Sequence, residues 1–184
     1  MNVYDFDNTI FRGDSTAKFY FYCLVRYPKM VIHLPATALA GLKFLMGIYT
    51  KTRFKETLYR FLRCVPNVEG AVASFWDKQE KNIKDWYFLN HRDDDVVISA
   101  SPEFLLDGIC KKLRVEKLMA SRVDPKTGLY NGENCHGTEK VRRFREIYES
   151  QQIEEFYSDS RSDTPLAEIS LYPFLVSGNR IEKW

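Results

Sequence analysis

Short apolar runs alternate with amphipathic stretches along this chain, and the alternation predicts strands separated by helices. Val3 to Asp5 reads as the first strand, Val96 to Ser99 as the next, then Lys117 to Ala120, Glu155 to Ser158, and finally Phe174 to Val176. Apolar runs this short, bounded by polar residues, suit strands buried on both faces. Pro102 at a first helical turn opens a helix from Glu103 to Leu113. Gly137 to Ser150 presents Val141, Phe144, Ile147 and Tyr148 at helical spacing. Ser121 to Asn134 carries the turn sequence Asp124-Pro125-Lys126-Thr127-Gly128 and predicts a hairpin excursion. Strands and helices alternating at these lengths predict an α/β fold with a Rossmann-like, mainly parallel sheet.

Roughly eighty residues separate the first two strands, too many for a simple crossover. They read as helical throughout. Phe54, Leu58, Phe61 and Leu62 recur at helical spacing, Val72, Phe75 and Trp76 start another face, and Trp86-Tyr87-Phe88-Leu89 lies near the return. The expected organisation is a discontinuous core, residues 1–12 and 93–184, with residues 13–92 as an inserted α-helical cap. Met30 to Tyr49 is its most apolar stretch. His33, Pro35 and Lys43 interrupt it, which argues against a clean membrane-spanning helix. Two readings remain: the cap's hydrophobic core, or a helix lying at a membrane interface and admitting a lipid phosphate, flanked by the cations Arg26, Lys29 and Lys51.

Candidate chemistry begins at Asp5-Phe6-Asp7-Asn8-Thr9. Strand residues two apart point the same way, so Asp5 and Asp7 can both face a pocket beyond the strand's carboxyl end. A carboxylate can attack phosphorus and form an aspartyl-phosphate. A second carboxyl can protonate the leaving oxygen and then activate water. Clustered carboxylates would repel a phosphate dianion, so a divalent cation is required, and Asp159 and Asp163 add hard oxygen ligands suited to Mg²⁺. Lys140 can hold both Asp5 and a phosphate oxygen. Ser99 can donate its hydroxyl, and backbone N–H groups after Asp7 and Ser99, those of Asn8 and Ala100, would complete the phosphate cradle. Taken singly, Asp7-Asn8-Thr9 also fits a turn or helix cap, Ser158 to Asp163 a capped loop, and Lys140 a solvated helix residue. Four elements in this order point jointly to phosphoryl transfer.

The constellation resembles the haloacid dehalogenase (HAD) superfamily of phosphatases across nearly the whole chain. Asp5, Asp7 and Thr9 look like its first motif, Ser99 its second, Lys140 its third, and Asp159 with Asp163 its fourth, where Ser158 replaces a frequent Gly. The resemblance implies Asp5 as nucleophile and Asp7 as general acid/base. It implies Mg²⁺ on the Asp5 carboxylate, the Asp7 backbone carbonyl and Asp159, with Asp163 in support. The long insertion resembles the cap of the phosphoserine-phosphatase-like branch, in which substrate choice lies largely in the cap. Asp14 stands where serine phosphatases carry a cap Glu. The carboxylate-binding Arg of those enzymes falls on Phe61, and Arg60 or Arg63 would replace it only after a register shift, so phosphoserine is disfavoured. Tyr157 to Leu166, with the Cys135 to Lys140 approach, is similar to bacterial HAD-type phosphatidylglycerophosphate phosphatases. The expected activity is hydrolysis of a phosphate ester, with a lipid phosphate as first choice. The alternatives are a soluble small-molecule phosphatase, a phosphotransferase, or a non-catalytic phosphate-binding protein.

Composition changes this picture little. The 184 residues carry a formal net charge of +2, which gives no reason to expect nucleic-acid binding. Arg142, Arg143 and Arg145 read as the solvated face of the Lys140 helix. Cys23, Cys64, Cys110 and Cys135 form no metal-ligand spacing and read as reduced thiols of a cytoplasmic protein, associated with the inner membrane face under the interfacial reading. The catalytic motif occupies the first ten residues, so no secretory signal is expected. His136, four residues before Lys140, is the one histidine close in sequence to the predicted site.

Overall fold

The computed structural model describes residues 1–184. A six-stranded sheet is assembled from both ends of the chain: β1 (Asn2–Tyr4), β2 (Val96–Pro102), β3 (Lys117–Ser121), β4 (Ile153–Ser158), β5 (Ser170–Ser177) and β6 (Arg180–Lys183), in the order β3-β2-β1-β4-β5-β6. The first five strands are parallel, and β6 runs antiparallel to β5. Chain order reverses between β1 and β4, which places a crevice at the carboxyl end of β1, the usual ligand position of open α/β sheets. Successive strand residues divide between the two faces. Val3, Ile98 and Phe156 pack with Phe144 and Leu166 on one side, while Tyr4, Val97 and Tyr157 pack with Leu105, Leu106 and Ile109 on the other.

The chain's last strand is β6, not the Phe174–Val176 run expected from the sequence. Arg180-Ile181-Glu182-Lys183 has one apolar residue, so its hydrophobic signal is weak. The legible cue is Gly178-Asn179, a two-residue hairpin loop with Gly178 at φ +61°. The predicted hairpin excursion is a loop closed by the single antiparallel bridge Val123↔Tyr130.

The insertion between β1 and β2 is mainly helical: α1 (Ser15–Arg26), α2 (Leu34–Leu45), α3 (Lys51–Tyr59), α4 (Val68–Gln79) and α5 (Asp85–Asn90), with 3-10 turns among them. After β2, α6 (Glu103–Lys112), α7 (Thr138–Ile147) and α8 (Thr164–Ala167) flank the sheet. The helical stretch contributes an aromatic group that is continuous with one face of the sheet. Phe19 packs edge-on against Phe61 and Phe75, Tyr20 against Phe61, and Phe75 against Trp76.

Apart from Met30, the stretch to Tyr49 is not part of that core, which corrects one of the two readings offered above. Only Met30 and Ala40 are buried, whereas Ile32 is 78% exposed, Leu45 83% and Met46 64%. Pro35 sits in the first turn of α2, which follows a 3-10 turn, Pro28–His33, so the apolar run is divided. No helix is long and apolar enough to cross a membrane. One side of α2 rests on α3, where Phe44 stacks on Phe54, and its other side is an uncovered apolar face.

The helical stretch is tied to the sheet layer at several points. Trp76 Nε1 donates to Leu105 O (2.6 Å) and Tyr130 N to Glu56 Oε1 (3.4 Å). Gly128, at φ +77°, lies so close to α3 that a Cβ there would stand 2.5 Å from Tyr59 O.

Candidate active site

Asp5 leaves β1 at its carboxyl end, its N–H still donating to Tyr157 O of β4 (2.8 Å). Asp7 follows in a loop clasped from two sides. Its Oδ1 accepts from Ser15 N, the first residue of α1 (2.7 Å), and its Oδ2 accepts from the Ser101 hydroxyl at the end of β2. Asn8 takes a left-handed φ of +56° and gives its N–H to Gly13 O (3.1 Å), so the cradle donor expected from Asn8 is engaged within this loop. Thr9 Oγ1 accepts from Asp159 N (2.9 Å), which ties the first predicted motif to the loop after β4.

Lys140 closes the arrangement. It lies in the first turn of α7, is 2% exposed, and donates to Asp5 Oδ1 and Asp163 Oδ2, both at 2.7 Å. Ser158 Oγ donates to the same Asp163 oxygen (2.8 Å), so the serine that replaces the frequent Gly is itself a ligand of the acidic cluster. α7 is positioned by Arg143, which pairs with Glu139 (2.7 Å) and donates to Ala120 O of β3 (2.5 Å). Arg143 is therefore only 12% exposed and not the solvated residue its spacing suggested. Ser99 Oγ accepts from Ser101 N (3.1 Å), which leaves its hydroxyl proton free to donate.

Electrostatically the site carries more negative charge than its own cation offsets. Burial pushes Asp5 up, to about 7, with Lys140 pulling down and Asp163 pushing the same way as burial. Burial, with Asp14 nearby, lifts Asp7 to about 6, while bonds from Ser101 and Ser15 restrain it. Asp159 is raised by burial and held partly down by the Asn8 side chain. Burial disfavours the Lys140 charge, but Asp5 and Asp163 more than compensate and hold it above the ordinary lysine range. Burial is the largest cause of each of the three upward carboxyl shifts.

The residues fit Mg²⁺. Asp163 Oδ1 is buried with no hydrogen-bond partner, and the donors are all hard oxygens. No three His, Cys, Asp or Glu side chains form a ready metal cluster. Because Asp5 must lose its proton to bind a cation, Mg²⁺ affinity is expected to be level above about pH 7. Below that it should fall roughly tenfold per pH unit. Calorimetric titration across pH checks this, and equal affinity at about pH 5 and about pH 8 would contradict it.

Other predicted residues lie less centrally. Asp14 is exposed and caps α1, accepting from Ala17 N (2.8 Å). Phe61 is buried in the aromatic core, and Arg60 and Arg63 are exposed on the surface, so none of the three supplies a site cation. His136 is half-buried, with Lys51, Lys55, Lys140 and Asp163 as its charged neighbours, burial being the main influence that lowers it. Three residues went unread. Ser101 anchors Asp7. Lys84 is buried and donates to Asn8 O and to Gly178 O (2.6 Å), pinning the catalytic loop to the β5–β6 turn. Lys55 of α3 donates to Ala100 O (2.9 Å). The lysines gave no signal, because a lone Lys on a helix is ordinary surface until tertiary contacts are known. A cavity of about 990 Å³ lies elsewhere, lined by Leu62, Val72, Trp76, Phe104 and Ile109.

A family model for haloacid dehalogenase-like hydrolases matches residues 3–168. The chain belongs to that family. Its catalytic class is accordingly hydrolase. Solved structures agree on the fold. A Bordetella pertussis Tohama I protein of unknown function is 19% identical with a TM-score of 0.74, over 94% of this HAD chain and 87% of that one. A phosphoserine phosphohydrolase-like protein from Francisella tularensis is 14% identical, TM-score 0.56, over 94% and 86%. A phosphoserine phosphatase, solved as a phospho-aspartyl intermediate analogue, is 16% identical, TM-score 0.60, over 93% and 83%. No curated protein matches the chain.

Proposed function

We propose that this chain is a Mg²⁺-dependent phosphomonoester hydrolase that works through a phosphoryl group carried on Asp5, with residues 13–92 acting as a cap over the core. The observation that carries the reading is the buried Lys140 ammonium bridging Asp5 Oδ1 and Asp163 Oδ2 at 2.7 Å each. It supports reading Asp5 as the nucleophile, with Lys140 as its cation and the acidic loop after β4 beside them.

In this reading the Asp5 carboxylate attacks phosphorus and the bond to the leaving alcohol breaks, with Asp7 giving that oxygen its proton. Asp7, now ionised, takes a proton from water, whose oxygen attacks phosphorus and restores Asp5 as phosphate departs. A carboxyl near 6 can serve as acid and then as base close to neutral pH. The Lys140 ammonium and the Ser99 hydroxyl hold phosphoryl oxygens. When bound, Mg²⁺ supplies charge neutralisation and orientation. The Asp5 and Asp159 carboxylates and the Asp7 carbonyl would hold it, with Asp163 in support.

For the substrate we favour a lipid phosphate such as phosphatidylglycerophosphate. The uncovered apolar face of α2 supports this, and so does the charge around it. Residues 15 to 55 contain no Asp or Glu, and they carry Lys18, Arg26, Lys29, Lys43, Lys51, Arg53 and Lys55. An apolar face rimmed by cations suits the surface of an anionic membrane. α2 also packs on α3, which carries Lys55 to the site, so a lipid held on α2 would have its headgroup close by. A soluble small ester is the second reading, favoured by the fold shared with a phosphoserine phosphatase. In a panel of substrates, micellar phosphatidylglycerophosphate is expected to exceed soluble esters in kcat/KM by about tenfold or more, since each buried CH₂ contributes about 0.8 kcal/mol. A clear preference for a soluble ester would reject the lipid.

A further inference from the structure

A cation from the helical insertion reaches the site. Lys55 leaves the middle of α3 and places its ammonium on Ala100 O, the carbonyl beside Ser99 at the end of β2. Ser121 Oγ donates to the same carbonyl (3.1 Å), so the point of contact is fixed from the core side. An ammonium has three protons, and this bond uses one. The nearby carboxylates are engaged elsewhere. Asp5 and Asp163 hold Lys140, Asp7 accepts from Ser15 and Ser101, and Asp14 accepts from Ala17. α3 is itself held against the core by its neighbouring residue Glu56, on Tyr130 N, and by Tyr59 against Gly128. Lys55 is thus carried on a braced helix.

Lys51 stands one turn earlier on the same face of α3 and is exposed at the rim. Like charges one turn apart are mutually unfavourable, and a ligand anion between them reverses that cost. His136 faces the same two lysines from the core. Burial and Lys51 hold Lys55 down, to about 8, while Asp14, Asp7 and Asp5, in falling order, draw it back up. Lys55 reaches the end of β2 from the helical insertion, whereas Lys140, which holds Asp5, comes from α7 of the core, so the two cations enter the crevice from different elements.

We propose that Lys55, with Lys51 at the rim, is a specificity site for a second anionic group carried by the leaving alcohol of the substrate. This rests on the phosphomonoesterase reading and narrows it to esters whose alcohol bears a carboxylate or a phosphodiester close to the ester oxygen.

Binding to the Asp5→Asn protein, at a Mg²⁺ concentration high enough to offset the lost carboxylate ligand, tests this without turnover. Three probes differ only in the alcohol: glycerol phosphate, phosphoglycerate with a carboxylate, and the deacylated headgroup of phosphatidylglycerophosphate with a phosphodiester. At least one anionic probe is expected to bind about tenfold tighter than glycerol phosphate, the scale of one charge-assisted hydrogen bond. The arm with the larger ratio identifies the anion. Lys55→Met should bring that ratio close to one, and Lys55→Arg should keep most of it. Lys51→Met, at an exposed position where folding is not at stake, should cut it by about threefold. A wild-type ratio near one, or an undiminished ratio in Lys55→Met, overturns the proposal. Because ratios of Kd are read, they stand even if an active Asp5→Asn enzyme shows the nucleophile to be wrong.

Discussion

Asp5→Asn should lower kcat for any phosphomonoester, including a generic aryl phosphate, by about four orders of magnitude or more, the scale on which loss of a covalent nucleophile is felt. The carboxamide keeps the shape of the carboxylate, and its oxygen can still accept from Lys140, so substrate binding should change far less than turnover. Stability should survive as well. Asp5 is a buried acid whose burial opposes ionisation and pushes it to about 7. A group with its folded pKa raised contributes stability that is fully present below its unfolded value near 3.8 and is lost as pH rises through about 7. A neutral Asn escapes that loss at neutral pH. Initial rates and a thermal melt of the same preparation check both halves, and a variant that hydrolyses aryl phosphate at the wild-type rate would show that Asp5 is not the nucleophile.

Lys140→Met should have the largest effect on folding. Its ammonium is nearly inaccessible and lies 2.7 Å from two buried carboxylates, Asp5 and Asp163. Removing one partner of a buried ion pair leaves uncompensated charge and costs about 3–5 kcal/mol. For a chain of this size that corresponds to a fall in melting temperature of about 6–20 °C. The sign of its pH dependence follows. Without Lys140 the Asp5 carboxyl is pushed further up and can shed its charge by protonation, so the deficit should shrink at about pH 5 and be largest at about pH 8. Added Mg²⁺ should recover part of the loss at the higher pH. Melts at the two pH values, with and without Mg²⁺, decide it. A loss equal at both would point to packing and not charge.

Why some of this was legible from residues alone comes down to range. Asp5 and Asp7 announce themselves because an apolar run ends in carboxylates at strand spacing, and Gly137 before Lys140 marks the helix start that aims the lysine. These are local signals reinforced by order along the chain. The burial of Tyr4, Val97 and Phe156 follows from the same local patterning. Residues whose meaning depends on distant partners were not legible. Lys55 and Lys84 matter through the carbonyls of Ala100, Asn8 and Gly178, and a lysine's sequence neighbours say nothing of those. Met30 to Tyr49 was ambiguous for a related reason. Hydropathy reports what a segment would bury, whereas only the packing of α2 on α3 shows that one side is left uncovered.

The central claim is transient esterification of Asp5, and rapid acid quenching during turnover tests it most directly. Peptide mass analysis of the Mg²⁺-loaded wild-type enzyme, stopped while hydrolysing an aryl phosphate, should find one phosphoryl group on the N-terminal peptide at Asp5. The adduct should be cleaved by hydroxylamine and missing from Asp5→Asn. Product release with no adduct at any quench time, or a phosphoryl group attached to another residue, would contradict the account.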